Sequence, residues 1–490
     1  MNPPSRALGV LATVLCLFAV LTGCAGKQDS TSGSPVPDGR LTVAVEFGPK
    51  AGFAIDTDDA FVLTELGVVE TLVRADPNGR AVPGLAVSWQ RIDPLTWRFQ
   101  LRPGVSFHDG TPLTPDSVVT ALRYVNSVAA PPRAIKGVGW RLSSPNTAIL
   151  APSAYHPNSP PSPIRSGTGP FVLTDIQATQ SATVARWDRY WGPRPALATV
   201  QARFIPDPMA RATALRAGDV DLTQGIPDTA LPELAAVSQI KIVTYSLPRT
   251  VSLYTNLTSP LLADPRVRQA IELAIDRPAL AAQVLGGSAT AASDVFGAGV
   301  PWGNPATPPG ADPGAATRLL AQAGYGPGKP LTLRLWTYPA RAELPTLTTA
   351  VQAMLKTAGI EANIRVAEYN TVESDVLAGR YDLFLLSRSY LTDIPDAAGF
   401  LSSDYTCAGS YNLNRYCSPA FDTLVGSLSQ TAYPTQRRQI FRAAAQRLNQ
   451  DIVGVPLVHS EARVAMRHVT GFVPDPQEHY LLTPQLARTG

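Results

Sequence analysis

The chain carries few residues arranged to make or break bonds. Its 490 residues include five His and four Cys, and no His pair stands at metal-ligand spacing. Neither a G-x-S-x-G nucleophile elbow nor an H-E-x-x-H metal motif occurs. His108 and Asp109 are adjacent, so in a strand or turn their side chains point apart. The pair reads as turn-closing rather than as a dyad. Gly167-Thr168-Gly169 could suggest a phosphate cradle, but no helix start follows it and Pro170 removes a donor, which leaves a structural turn. Asp219 and Asp221 are alternate residues placed on one side of a strand, where paired carboxylates could do acid–base work. Hydrogen-bonded strand-end aspartates explain them more simply. His459 lies in apolar surroundings and reads as a satisfied core histidine. The chemistry on offer is recognition.

Whatever is recognised must be positioned by the elements around it. In residues 97–118, WRFQLRPGVSFHDGTPLTPDSV, Trp97, Phe99 and Leu101 alternate with Arg98, Gln100 and Arg102, the period of a half-buried strand. Pro103-Gly104 breaks it, Asp109-Gly110 is a turn, and Thr114 caps a helix opening at Pro115. Further on, strand, helix and strand alternate. LTVAVE (41–46), LTLRLWTY (331–338), IEANIRVAEY (360–369) and YDLFLL (381–386) are strands; residues 210–217, 343–358 and 434–450 are helices. Such alternation implies parallel pairs in an α/β sheet. Sheets of this kind take ligands in the crevice beyond the carboxyl ends of their strands. The candidates are therefore Tyr254 and Asn256, Trp336 and Tyr338, and the segment from Ser387 through Tyr390 to Asp396.

Bulk properties narrow the class. Lys plus Arg number 41 against 38 acidic residues, a balance that gives no electrostatic case for nucleic acid. With 45% hydrophobic residues the chain is globular despite 46 prolines, and its length predicts two or three domains. Arg6 followed by the apolar run Ala7 to Leu21 reads as a targeting leader too short to span a membrane comfortably. Leu21-Thr22-Gly23-Cys24 resembles a bacterial lipobox, in which Cys24 would carry the lipid. AGKQDSTSGSPVPDG after it reads as a flexible tether. Cys16 leaves with the leader, so Cys407 and Cys417 remain in an export compartment. There a disulfide is favoured over a zinc site, for which no other His or Cys lies nearby.

Trp97, Phe99, Leu101, Arg102, Gly104, Val105, Phe107, His108, Asp109, Gly110, Pro112, Thr114 and Asp116 together resemble the family-5 solute-binding proteins of ABC importers. Gly167-Thr168-Gly169-Pro170-Phe171, the DRYWG run holding Trp187, Tyr190 and Trp191, and IPDPMARATALRAGDVDL (205–222) resemble further blocks of that family. So does the pattern running from Asn256 and Pro260 through Asp264, Arg266, Val267 and Arg268 to Asp276 and Arg277. The resemblance covers roughly residues 40 to 480.

The fold it implies is an α/β, periplasmic-binding-protein-like, two-lobed fold of type II, with the extra domain typical of peptide binders and mixed, mainly parallel sheets. The implied division is a leader (1–23), a tether (24–39), a first lobe (40–60, 167–249 and 470–490), an extra domain abbreviated between 129 and 166 (61–166), and a second lobe (250–469). The segment 387–407 resembles the ligand loop of dipeptide and oligopeptide binders, where a carboxylate meets the peptide amine. Here Asp393 or Asp396 would supply it, while Arg388 would pair with Asp393 or receive a ligand carboxylate. Nickel-chelate binders often have a His in this loop, and this chain has Ala397-Ala398. The resemblance thus implies a monomeric, lipid-anchored receptor for peptides or similar zwitterions. It would serve an ABC permease and ATPase without cofactor, resident metal or catalysis. A metallophore receptor using Arg165, Arg341 or Arg388 is the alternative, and an extracytoplasmic enzyme the remote one.

Overall fold

The computed structural model describes residues 34–76, 81–93, 96–129, 142–157, 159–341, 343–391, 396–431 and 433–490. The leader, Cys24, most of the tether and Asp393 lie outside the described residues. The strand Gly39–Val45 is buried on both faces: Leu41, Val43 and Val45 enter one core, and Ala44 the other. Parallel neighbours flank it, Leu197–Phe204 on one side and Leu222–Gln224 on the other. The helix Pro208–Ala217 connects them, capped by Asp207, whose carboxylate accepts from Ala210 N at 2.7 Å, and stopped at Gly218. The two strands on either side of this helix run parallel, as alternation implies. The first strand of the chain, however, is inserted between them. Asp219 and Asp221 precede the second of them, and Asp221 is the strand-end carboxylate: it accepts from Thr42 N at 2.8 Å and pairs with Arg488 at 3.0 Å.

Among the described residues, eleven strands form one mixed sheet that runs through both lobes. Continuity comes from two long crossing strands, Ile240–Thr255 and Gly454–Arg467, paired antiparallel. One end of each belongs to the first lobe's half of the sheet. At their other end, Leu383–Ser389 pairs with Ile240–Thr255, and Leu331–Thr337 and Ile360–Val366 continue the sheet in parallel register. The antiparallel ladders are invisible to helix–strand alternation, because whole lobes rather than single helices join these strands. The crossing ladder is interrupted midway. Ser246 faces Glu461 and Thr250 faces His459, so Leu247, Pro248 and Arg249 stand opposite Ser460 alone. Pro248 has no N–H to donate, which suits a bulge and not a continuous ladder.

Each lobe has its own core. Val43, Phe171, Val200 and Leu222 belong to the first, and Leu253, Ile271, Leu335, Val351 and Leu385 to the second. Leu72, Val105, Phe107, Val118 and Ile149 form a separate small core in the extra domain. There the helix Pro115–Ser127 opens with Pro115 and a reciprocal Thr114–Ser117 capping box. The strand Thr96–Leu101 departs from the half-buried pattern its sequence suggests. It pairs only with Ala86–Asp93, and Trp97 stays 51% exposed because a two-stranded ribbon has one face too few to cover it.

His108 and the G-T-G run lock together. His108 N donates to Gly167 O at 2.8 Å, and its Nε2 lies 2.9 Å from Gly169 O. A side chain at position 169 would place Cβ 2.2 Å from Gly67 O, so the run is a close backbone crossing and not a phosphate site. Cys407 and Cys417 are disulfide-bonded, with their Cα atoms 4.4 Å apart. Among the described residues, no helix is long and apolar enough to cross a membrane, and no cluster of three or more His, Cys, Asp or Glu could hold a metal ion.

Candidate functional site

The bulge in the crossing ladder sits at a cleft between the lobes of about 900 Å³, open solvent at its mouth included. Local backbone explains how each charged side chain arrives there. Glu46 is the residue after the strand Gly39–Val45, at its carboxyl end. Arg249 is the last bulged residue, and Ser460 is the residue opposite. Arg341 follows the second-lobe strand Leu331–Thr337. Glu478 comes from the C-terminal return, in a left-handed conformation (φ 58) that non-glycine residues seldom adopt. Asp475 fixes that turn by accepting the N–H groups of Gln477, His479 and Tyr480 at 3.0, 2.8 and 2.9 Å.

These residues form a chain of opposite charges across the lobes. Arg341 Nη1 lies 3.3 Å from Glu46 Oε2 and 3.4 Å from Glu478 Oε1, while Arg249 Nη2 donates to Glu478 Oε2. Beneath them Arg211, fully buried, donates to the carbonyls of Gln224 (3.0 Å), Ile205 (2.9 Å), Pro206 (2.8 Å) and Gly225 (3.0 Å). Gly225 has φ +66, and a Cβ there would meet Arg211 Nη2 at 2.6 Å, so only glycine admits this arginine under the cleft. Arg463 pairs with Asp228 at 2.7 Å on the neighbouring wall.

Electrostatics separate three glutamates that share this corner. Burial alone would raise Glu478, but the guanidinium groups of Arg249 and Arg341 overcome it and hold the carboxyl down to about 2. Burial raises Glu46, and attraction to Arg341 and Arg211 only partly opposes it. Burial pushes Glu65 up to about 8, a donated hydrogen bond from Gln224 resists, and the charges of Glu478 and Glu46 add to the rise. Arg341 is held above the ordinary arginine range, because Glu46 and Glu478 outweigh its own burial.

Of the residues singled out from sequence, seven are described, and none of the seven lines this cleft. Tyr254 is 2% exposed in the second lobe's core. Asn256 donates to Gly379 O and Tyr381 O, both at 2.9 Å, and accepts from Thr258, which consumes its amide in a turn. Trp336 is buried beneath the Arg365 guanidinium, 4.3 Å from its ring. Tyr338 packs edge-on against Tyr369. Arg388 makes a fork to Asp404, Nε to Oδ2 at 2.6 Å and Nη2 to Oδ1 at 2.9 Å, and the Asp393 considered as its partner lies outside the described residues. Tyr390 Oη accepts from Gly297 N at 3.3 Å. Asp396 caps Ala398 N at 2.7 Å and pairs with Arg437 at 2.7 Å. Of the arginines considered for a metal chelate, Arg341 alone lines the cleft among the described residues; Arg165 is exposed.

Glu46, Arg249 and Glu478 escaped the sequence reading, though Glu46 was within its reach. The strand-end rule that selected Tyr338 also selects Glu46 when applied to the first strand. No local pattern marks Arg249, which depends on a bulge, or Glu478, which depends on a return from the far end of the chain.

The cleft is lined by fixed charges of both signs at the junction of two lobes. Similarity to known proteins agrees with this architecture. A probable di/tripeptide-binding protein 5 of Pseudomonas aeruginosa is 28% identical over 90% of this chain and 94% of its own length. The nickel-binding periplasmic protein of Escherichia coli is 26% identical, with 95% of each chain covered. The structure of NikA from Staphylococcus aureus in complex with Ni(L-His)2 superposes with a TM-score of 0.82 at 22% identity, covering 92% of this chain and 100% of that one. Residues 80–412 match the family described as bacterial extracellular solute-binding proteins, family 5 Middle. The chain belongs to the family-5 extracellular solute-binding proteins.

Proposed function

We propose that this protein is the receptor of an ABC importer for di- or oligopeptides or similarly zwitterionic solutes. The single observation carrying this reading is the cleft in which Glu46, Arg341, Glu478 and Arg249 present alternating charges. A peptide supplies the complementary set, an ammonium at one end and a carboxylate at the other. The likeness to a di/tripeptide-binding protein supports the same reading. No step in this scheme requires catalysis: a receptor needs only a higher affinity for solute in the closed arrangement than in the open one. The lobes meet at the Leu247–Arg249 bulge, and closure about it would bury the solute.

The lipobox-like Leu21-Thr22-Gly23-Cys24 supports anchoring at the extracytoplasmic face of the cell membrane through a lipid on Cys24. The monomer would there deliver solute to its permease and ATPase. Membrane fractionation of cells carrying Cys24→Ser reads the anchor directly, and a variant still in the membrane fraction would remove it from the scheme.

The second reading is a receptor for nickel complexes, as two of the similar proteins are named for nickel. Isothermal titration of the purified protein with a di- and tripeptide panel and with nickel–histidine separates the two. Saturable heat with peptides and none with nickel–histidine is expected. The reverse result would transfer the protein to the nickel branch.

A further inference from the structure

Most charged groups around the cleft are already satisfied. Both oxygens of Glu478 are taken, one by Arg341 and one by Arg249. Asp228 accepts from Arg463 at one oxygen and from Ser288 at the other. Arg211 spends its donors on carbonyls. Glu343 and Glu461 are only partly buried. Three buried polar atoms in the cleft lining lack a partner among the described residues: Glu46 Oε1, Arg249 Nε and Ser460 Oγ. Glu46 is 3% exposed, and Arg249 and Ser460 are each 8% exposed. Buried polar groups are almost always hydrogen-bonded, so each of these atoms is a place that an ordered water or a ligand can fill. One is an anionic acceptor, one a cationic donor, and one a hydroxyl that can donate.

We propose that Glu46 is the ammonium-recognising residue of the cleft and that Arg249 with Ser460 forms the facing carboxylate subsite. This assignment rests on the peptide-receptor reading and deepens it. The solute is then one with a free amine and a free carboxyl, and the two ends are told apart by these groups rather than by the loop holding Asp396. Geometry supports the split. Glu46 stands at the end of a first-lobe strand, and Arg249 and Ser460 at the bulge, with Arg341 and Glu478 linking them. The buried carboxylate of Glu46 already has one guanidinium at Oε2 and gains a second cation at Oε1 when the ammonium docks. Arg249 keeps Glu478 at Nη2 and adds the ligand at Nε.

The test uses trialanine in free, N-acetylated and C-amidated forms, titrated calorimetrically into the whole protein. Wild type is expected to lose roughly tenfold or more in affinity on acetylation, and likewise on amidation, since each removes a charge-assisted contact. Glu46→Gln is expected to weaken free trialanine more than the acetylated form, so that the affinity ratio between the two falls towards one. Glu46→Asp should retain part of the discrimination. Equal wild-type affinity for free and acetylated trialanine would overturn the assignment and leave the peptide reading standing, with ordered water as the occupant of Glu46 Oε1. Binding of no form of trialanine would overturn the assignment and remove its support from the peptide reading together. The wild-type comparison needs no variant to fold.

Discussion

At the scale of single residues, the corner where Glu46, Glu65 and Glu478 meet shows how environment divides identical side chains. Glu478 sits between two guanidinium groups and stays ionised to about 2, whereas burial keeps Glu65 protonated up to about 8. The ordinary value for both is 4.5. The signs for stability are opposite. The folded chain binds Glu65's proton more tightly than the unfolded chain does. That contribution is complete below pH 4.5 and is lost as pH rises through about 8. Glu478 favours the folded state above pH 4.5 and loses its contribution as pH falls towards 2.

Glu65 is partly exposed, and Gln224, Glu46, Glu478 and Arg341 all act on it. Only part of its shift is therefore expressed, and about 1–2 kcal/mol is expected between mildly acidic and mildly alkaline conditions. Glu65→Gln removes the titration and keeps the shape. Its thermal midpoint should fall less between pH 5.5 and pH 8.5 than that of wild type. Parallel slopes for the two proteins would show that Glu65 titrates normally.

At the scale of elements, the tightest constraint is the crossing of the G-T-G run under the loop after the first helix. Gly169 N donates to Val68 O and Phe171 N to Gly67 O, both at 3.1 Å, while His108 holds the run from the extra domain. Burial lowers His108 to about 4, so its ring is neutral. It then carries its proton on Nε2, facing the Gly169 carbonyl. A methyl group at 169 has nowhere to go, with Gly67 O 2.2 Å from the Cβ and two backbone carbons at 2.9 Å. Gly169→Ala is expected to cost about 1–3 kcal/mol through overpacking of rigid backbone, read as a lower denaturant midpoint with an unchanged slope. An unchanged midpoint would mean that the crossing yields more easily than its contacts imply. The crossing strands illustrate the reverse principle. Their ladder is broken at Pro248, and the break itself delivers Arg249 to the cleft.

At the scale of the whole molecule, Arg341 is a charged tie between lobes. It leaves the second lobe to meet Glu46 of the first and Glu478 of the C-terminal return. Hydrogen bonds between charged groups contribute about 1.5–3 kcal/mol each. Losing Arg341 should therefore shift the unliganded balance between closed and open lobes about tenfold towards open. Small-angle scattering of Arg341→Ala without solute should show a larger radius of gyration than wild type, and added salt should move wild type the same way. Identical scattering curves would show that packing, not this ion pair, sets the lobe angle.

Local order was written in the sequence. The Thr114 cap and the Asp109-Gly110 turn depend on neighbours within a few residues, and the structure realises them. The fold class and the turn reading of G-T-G were legible for the same reason. Side-chain destinations were not. Arg388 makes its fork to Asp404, and Asn256 spends its amide on the carbonyls of Gly379 and Tyr381, because these partners are brought close only by folding. The cleft residues Glu46, Arg249 and Glu478 lie as much as four hundred residues apart in the chain. Only the bulge between two antiparallel strands and the late return of the C-terminal segment bring them together. Sequence determines which charges exist and which elements carry them. Burial and long-range register decide which of those charges are cancelled within the protein and which are left for a ligand.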